Sequence, residues 1–267
     1  RNDIIGTDEV VNFLTKELRV KRMTLLGGEP TLYKGLSGFI RKYLDHGVKS
    51  MLITNGIRLA DKKFVKELDD NGAYTISTSI EGPNAEIHDK ITRNNGSFVK
   101  AMQGLENLMD TNIKRNMIHT ISNITVPYLE DMVMLAEAQK VTTMVFNICT
   151  PRLHTSEYAL DFPTAVEQCI KLGELKDRVN IDIQFSTPLP RCLFEKTKWE
   201  ELVAKGIIIV EKVCSPYSGR GPVIKWNGEL IACSHLVDMP IASIKTPEDR
   251  ATFLHNWNYG APVESRK

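Results

Sequence analysis

The sequence predicts an α/β protein whose strands form a parallel sheet that curves into a barrel or partial barrel. Two observations lead to this prediction. Short apolar runs typical of strands alternate with amphipathic segments long enough to be helices, which is the pattern of right-handed βαβ units. Most predicted strands also end in a polar or glycine-rich turn. Such turns gather on one rim in α/β barrels, where those folds keep their active sites.

The predicted elements follow one another in a regular order. The chain opens with a helix over 8–18, where Val10, Val11, Leu14 and Leu18 share one face. Six strands are predicted, at 23–26, 50–54, 74–80, 117–121, 142–148 and 181–185. Amphipathic helices are predicted between them, around 36–44, 64–68, 98–109, 129–140 and 164–175.

The pattern changes after about residue 187. Residues 223–226 and 229–232 read as a two-stranded hairpin, and Asn227-Gly228 between them favours a type I′ turn. We therefore expect two parts, a barrel over 1–187 and a small module over 188–267.

Composition narrows the possible function classes. The 267 residues carry a formal net charge of +1 with interspersed signs, which argues against a nucleic-acid-binding protein. No apolar run approaches the roughly 18 residues of a membrane span, and no signal peptide is evident. The five cysteines form no short-range pairs, so we expect cytoplasmic thiols or metal ligands rather than disulfides.

The stretch Gly27-Gly28-Glu29-Pro30-Thr31 follows the first predicted strand and carries the clearest chemistry. Glycines let a ligand approach the backbone closely, and proline makes the turn rigid. The motif resembles the glycine-glutamate segment of the radical S-adenosylmethionine (SAM) enzymes, which holds the methionyl ammonium of SAM. Ser79-Ile80-Glu81-Gly82, with His88 and Arg93 downstream, is similar to the SxDG…H…R pattern of a subgroup with extra iron–sulfur clusters, although Glu81 replaces the usual aspartate.

The resemblance implies a fold and a set of cofactor contacts. The fold is a partial (β/α)6 TIM-like barrel that lacks its first strand, followed by a SPASM- or twitch-like module. The serine would meet the ribose of SAM, and the arginine fork suits its carboxylate. The implied SAM-binding residues are Gly27, Gly28, Glu29, Pro30, Asn55, Ser79 and Arg93. His88 and His119 are each interpreted as structural histidines.

Cysteines in the last third of the chain form a second pattern. Cys214 is followed by thirteen residues, Gly228, four residues and Cys233, which resembles the C-x(9–15)-G-x4-C element of SPASM and twitch domains. With Cys192 as a third ligand, this implies an auxiliary iron–sulfur cluster. The alternative is a structural zinc site made by these three cysteines and His235 in a non-catalytic binding module. Cys169 fits the core, whereas Cys149 fits either the core or a site lining.

These 267 residues contain no CxxxCxxC loop, which the family uses to bind its SAM-cleaving [4Fe–4S] cluster. We expect the native polypeptide to carry that loop within about 25 residues upstream of Arg1. The resemblance then implies reductive cleavage of SAM to a 5′-deoxyadenosyl radical that removes hydrogen from a substrate. The favoured substrate is a ribosomally made peptide or a protein side chain, with a sugar or other small molecule as the alternative. A flavodoxin or ferredoxin would donate the electron.

Overall fold

The computed structural model describes residues 4–149, 156–209, 223–232 and 238–259. The chain divides into two compact units. The larger unit comprises Thr24–Arg41 and Ser50–Val210, and the smaller one comprises Arg1–Met23, Lys42–Lys49 and Glu211–Lys267. The predicted division at residue 187 remains a prediction.

One six-stranded sheet confirms the predicted α/β class. Its strands lie side by side in chain order, and successive strands from the second to the sixth pair in parallel. This arrangement is consistent with a partial TIM-like barrel. The strands are β1 (Arg22–Leu25), β2 (Lys49–Thr54), β3 (Thr75–Ser79), β4 (Lys114–Ile121), β5 (Thr143–Ile148) and β6 (Asp182–Phe185).

Helices occupy the connections, and several were not predicted. The unpredicted helix after β3 buries His88, which a hydropathy pattern reads as polar. The first predicted helix is an α-helix that continues as a π-helical turn, Phe13–Glu17. The predicted helices are α1 (Asp8–Asn12), α2 (Leu36–Leu44), α3 (Lys62–Asp70), α5 (Ser97–Asn107), α6 (Leu129–Ala138) and α7 (Phe162–Lys176). The unpredicted helices are α4 (Ala85–Thr92), α8 (Lys196–Ala204) and α9 (Pro247–Tyr259).

Alternation along the strands separates a helix-facing side of the sheet from an opposite side. Ile76, Met117, Met144 and Ile183 are buried in two apolar clusters with the helices. Because successive side chains point to opposite faces, the residues between them lie on the other face, which we call the inner face. Cys169 of α7 is fully buried in the larger cluster, as predicted, and burial raises its pKa to about 12.

The smaller unit contains an antiparallel sheet that includes the predicted hairpin. Its strands are β7 (Val223–Ile224), β8 (Glu229–Ile231) and an unpredicted third strand, β9 (Pro240–Ser243). The type I′ turn prediction was wrong. Asn227 does not adopt the positive φ that this turn requires, and only Gly228 does, at +80°. Gly228 donates to the Lys225 carbonyl, so the glycine follows the tight turn instead of lying inside it.

No helix among the described residues is long and apolar enough to cross a membrane.

Candidate functional site

The predicted SAM-binding residues gather at the carboxyl ends of the first three strands. Gly27 to Glu29 follow β1, Asn55 follows β2, and Ser79 ends β3. Because these strands are neighbours in the sheet, their ends form one continuous edge. This is the edge at which open α/β sheets bind ligands.

The Glu29 carboxylate is held by four hydrogen bonds. Its Oε1 accepts from the amide of Thr31 at 3.0 Å, from the hydroxyl of Thr31 at 2.6 Å and from the hydroxyl of Thr54 at 2.7 Å. Its Oε2 accepts from the amide of Asn55 at 2.8 Å. A carboxylate oxygen has about two lone pairs, so Oε2 keeps capacity for one further donor. The carboxylate is therefore fixed in place and can still receive a ligand.

The turn that carries Glu29 is itself anchored. Glu29 caps the short 3-10 turn Pro30–Leu32, and Thr31 within it is fully buried. Arg58 donates to the carbonyl of Thr31 and stacks over the ring of Phe64 at 4.0 Å. Sequence reasoning did not predict the roles of Thr31 and Thr54, because each depends on neighbouring strand ends.

The two glycines leave open space beside the backbone. Gly27 has a φ of +134°, which side chains rarely adopt. At Gly27 and at Gly28, a Cβ would meet no heavy atom of the described residues within 4 Å. The main chain before Glu29 can thus be approached closely by a bound molecule.

Asn55 and Gly56 shape the end of β2. The amide of Asn55 binds Glu29, and its side-chain oxygen accepts from the amide of Ile57 at 3.0 Å. Gly56 has a φ of +77°, and a Cβ there would lie 2.5 Å from Cγ2 of Thr78. The structure therefore gives Asn55 a role that the sequence did not suggest, which is to hold Glu29 through its main chain.

Ser79 and Arg93 come from β3 and from the end of α4. Ser79 is half-buried on the inner face. Arg93 is exposed and ends α4 in the left-handed conformation, with a φ of +55°. The SAM contacts inferred for these two residues remain predictions.

A second carboxylate, Glu81, lies just beyond β3, and two histidines hold the peptide unit in front of it. The carbonyl of Ile80 accepts from Nδ1 of His119 at 2.9 Å. The amide of Glu81, in the same peptide unit, donates to Nδ1 of His88 at 3.1 Å. The two bonds require His119 to be protonated at Nδ1 and His88 to be unprotonated there. The sequence offered no reason to connect these histidines, which come from β4 and α4.

Burial sets the charge state of this group. The pKa of Glu81 is raised from 4.5 to about 7 by burial, partly offset by a hydrogen bond from the amide of Thr120 at 3.3 Å. Burial lowers the pKa of His119 to about 4 and lowers that of His88. Both histidines are therefore neutral at pH 7, whereas Glu81 is poised between its two forms. Nε2 of His119 is buried without a hydrogen-bond partner among the described residues.

Polar side chains predominate on the inner face near Glu81. Thr120, whose amide donates to Glu81, pairs with Asn147 of β5, and the pair before it on this face, Ile118 and Val145, is apolar. Elsewhere on this face, hydroxyl and amide groups of strands β3 to β6 stand where TIM barrels usually carry branched apolar layers. These residues are Ser77, Ser79, Asn116, Thr120, Asn147 and Gln184.

The structure covers only part of the predicted cysteine site. Cys192 lies on the short 3-10 turn Arg191–Leu193, and its side chain is exposed. Cys214, Cys233 and His235 lie outside the described residues. Among the residues that are described, no three His, Cys, Asp or Glu side chains are grouped to hold a metal ion. The auxiliary cluster and the zinc alternative therefore both remain predictions.

Comparison with known proteins gives one family. The profile of the radical SAM superfamily matches residues 5–138, about half of the chain. Curated relatives include an AdoMet-dependent heme synthase of Oleidesulfovibrio alaskensis, 30% identical over 111 residues, and a GTP 3′,8-cyclase of Clostridium perfringens, 30% identical over 123 residues. Each match covers 42% of this chain, but only 28% of the first relative and 37% of the second.

Solved structures resemble the whole chain in fold. The structure of anSMEcpe with bound AdoMet and a Kp18Cys peptide has a TM-score of 0.68 at 17% identity, covering 98% of this chain and 76% of that one. SuiB of Streptococcus suis, bound to S-adenosylmethionine, has a TM-score of 0.69 at 12% identity, covering 96% of this chain and 60% of that one. At these identities the likeness establishes the fold alone.

Proposed function

The chain belongs to the radical SAM superfamily, and from this premise we propose that it binds SAM at the edge formed by the ends of β1, β2 and β3. The superfamily implies a [4Fe–4S] cluster and SAM, which together supply an electron and a 5′-deoxyadenosyl radical that removes hydrogen from a substrate. The protein's own task is to bind and orient the reactants and to exclude water.

The fixed carboxylate of Glu29 is the observation that carries this proposal. Its four hydrogen bonds hold it at the strand ends, and Oε2 can accept one further donor. The methionyl ammonium of SAM is such a donor, and hydrogen bonds to charged partners are short and strong. Open space beside Gly27 and Gly28 fits a ligand lying against the main chain. In this proposal Ser79 meets the ribose, and the exposed fork of Arg93 meets the carboxylate of SAM.

A peptide or a protein side chain is the substrate class that we favour. The inner face offers hydroxyl and amide groups, which suit a substrate rich in hydrogen-bonding groups. Proteins of similar fold have been solved with peptides bound, including SuiB with its precursor peptide SuiA. A small molecule is the second candidate, since the curated relatives are named for heme synthesis and GTP cyclisation. A flavodoxin or ferredoxin would donate electrons.

An auxiliary iron–sulfur cluster on Cys192, Cys214 and Cys233 is part of the same proposal. It rests on the cysteine spacing, because thiolates are the usual ligands of such clusters. The competing proposal is a zinc site completed by His235 in a non-catalytic module. Iron, sulfide and zinc analysis of anaerobically purified full-length protein separates the two, because zinc without labile sulfide supports the structural site.

The proposed activity is tested with full-length, cluster-reconstituted protein, SAM and dithionite. Release of 5′-deoxyadenosine is the expected result. A synthetic peptide library covering all side chains, assayed beside GTP and iron coproporphyrin, then identifies the substrate class by product mass. Absence of 5′-deoxyadenosine from protein with a full iron content would contradict the proposed function.

A further inference from the structure

We propose that Glu81 is an acid–base residue that takes a proton from the substrate bound at the inner face. The inference rests on the proposed function and deepens it, because it specifies a substrate that presents an X–H group, where X is nitrogen, oxygen or sulfur. Four features of the structure support it: the position of Glu81, its fixed backbone, the single hydrogen bond that the described residues give its carboxyl, and its neutral surroundings.

Position is the first feature. Glu81 lies two residues beyond Ser79, just past the carboxyl end of β3. The amide of Thr120 on β4 lies 3.3 Å from its Oε2, which places the carboxyl at the end of β4, next to a residue whose side chain belongs to the inner face. The side chain keeps 22% of its surface exposed, so it remains accessible to a bound molecule. A substrate on the inner face can therefore reach the carboxyl.

The fixed backbone is the second feature. His119 donates to the carbonyl of the Ile80–Glu81 peptide unit, and His88 accepts from its amide. Gly82 completes the constraint, because a Cβ there would lie 2.6 Å from the amide nitrogen of His88. Two buried imidazoles therefore orient one peptide unit. Such preorganisation is what an acid–base residue needs.

Hydrogen bonding is the third feature, and it separates Glu81 from Glu29. Glu29 accepts four hydrogen bonds, whereas the described residues give Glu81 only the bond from Thr120. Two carboxyl groups on one edge of the sheet thus have different environments, a pattern that assigns them different roles. The less satisfied carboxyl is the one able to exchange a proton.

Neutral surroundings are the fourth feature. The titratable groups beside Glu81 are His119 on β4, with Nδ1 at 3.8 Å from Oε2, and His88 on α4, and burial keeps both uncharged at pH 7. Asp89, which follows His88 on α4, is directed to the start of α5, where it accepts from the amides of Gly96 and Phe98. No charged side chain of the described residues is paired with Glu81, so within that part of the chain it changes charge without a fixed counter-ion.

The step is a simple proton transfer. In the carboxylate form, one oxygen of Glu81 accepts the substrate proton while the X–H bond breaks and its electron pair stays on X. The carboxylic acid that results returns the proton to water after release. No electron is gained or lost in this step, so it needs no oxidant.

A direct titration tests the first requirement without any cofactor. Full-length protein labelled with carbon-13 at the glutamate carboxyl is titrated by NMR, and the Glu81 signal is assigned by its loss in Glu81→Gln. We expect a transition close to pH 7. A Glu81 transition below pH 5 would overturn the proposal, because such a carboxylate would be too weak a base to take the substrate proton near neutral pH.

Kinetics test the second requirement. With the library peptide that the wild-type enzyme modifies best, product formation should rise through about pH 7, and Glu81→Gln should reduce it about 100-fold or more and abolish the rise. Glu86→Gln, an exposed change on α4, is the matched control and should match wild type. An unchanged profile in Glu81→Gln overturns the proposal. Failure of the wild type to cleave SAM instead counts against the proposed function, and the titration can still overturn the role of Glu81 by itself.

His88 is a positioning residue in this scheme and has its own test. Asparagine can replace Nδ1 as an acceptor through its side-chain oxygen, whereas alanine cannot. His88→Asn should therefore keep the Glu81 transition close to pH 7 and keep the pH profile, and His88→Ala should shift or broaden both. Circular dichroism of each variant reports whether the fold is intact. Identical titrations in the two variants would contradict the positioning role.

Discussion

At the residue scale, Glu29 is the group whose loss has the simplest expected effect. Glu29→Ala should weaken SAM binding by about ten- to a hundredfold, because a charged hydrogen bond is worth roughly 1.5–3 kcal/mol. The change also removes the acceptor for Thr31 and Thr54, so Glu29→Gln serves as the matched variant that keeps most of the local bonds. Calorimetry on reconstituted full-length protein provides the affinities. Equal affinity in the wild type and both variants would remove Glu29 from the ammonium site.

Glu81 carries a prediction about stability as well as chemistry. Its pKa in the folded protein is about 7, above the ordinary 4.5. Between pH 4.5 and pH 7, the folded state therefore holds a proton that the unfolded state has lost. Stability therefore falls as the pH rises from about 4.5 to about 7. Glu81→Gln removes this cost, so the variant should be more stable than wild type at pH 8, by about 1–3 kcal/mol given its partial exposure.

Denaturant unfolding at pH 5 and pH 8 measures this difference. The gap between Glu81→Gln and wild type should shrink at pH 5, where the native carboxyl is protonated and resembles the amide. Comparison at each pH cancels the opposite contribution of His119, whose lowered pKa of about 4 costs stability as the pH falls from about 6.5. Glu86→Gln should show no such dependence on pH. A gap that is equal at both pH values would refute the raised pKa.

At the scale of elements, the turn after β2 gives a prediction with an internal control. Gly56→Ala should destabilise the fold by about 1–3 kcal/mol, because the φ of +77° disfavours a side chain and the new Cβ would lie 2.5 Å from Thr78. Gly38→Ala, in the exposed face of α2 with no atom of the described residues within 4 Å, should instead stabilise by about 0.5–1 kcal/mol. Thermal or denaturant unfolding shows whether each variant is more or less stable than the wild type. A stabilising Gly56→Ala would show that this turn is not held as described.

The elements also show which features can be predicted from sequence. All six strands of the main sheet were predicted, because each contains an apolar or β-branched run bounded by polar or glycine-rich turns, although the polar start of β4 at Lys114 was missed. Helix α4 was missed because its buried face includes His88, and the turn type before Gly228 was wrong because Asn-Gly fits more than one hairpin geometry.

The candidate site likewise has one part that was predicted from the sequence and one part that was not. The GGE segment was predicted because its residues are contiguous and chemically distinctive. The group around Glu81 was not predicted, because His88 and His119 reach it from different elements and only burial gives all three residues their charge states.

At the scale of the whole molecule, the prediction concerns the auxiliary cluster. A Cys214→Ala, Cys233→Ala double variant of the full-length enzyme should lose iron and sulfide equivalent to one cluster. It should retain 5′-deoxyadenosine release, since another cluster would serve that step, and it should fail to form the modified product. Iron content, nucleoside release and product mass are the three measurements.

Two results would count against that assignment. Full iron content with normal product would make these cysteines structural. Loss of SAM cleavage in a variant that is still folded would mean that the two clusters are not separable. Circular dichroism must accompany the assay, because a metal site can contribute folding energy directly.

The buried thiol of Cys169 provides a way to measure how often the core around α7 is transiently exposed to solvent. Because it is fully buried in α7 and its pKa is about 12, an alkylating reagent can modify it only during excursions that expose the core. Glutathione added to the same sample has a fully accessible thiol, so it calibrates the reagent. The ratio of the two labelling rates, read by peptide mass spectrometry, yields the free energy of opening around α7. Each tenfold decrease in the labelling rate of Cys169 corresponds to about 1.4 kcal/mol of opening free energy. Labelling of the native protein therefore measures the stability of its core.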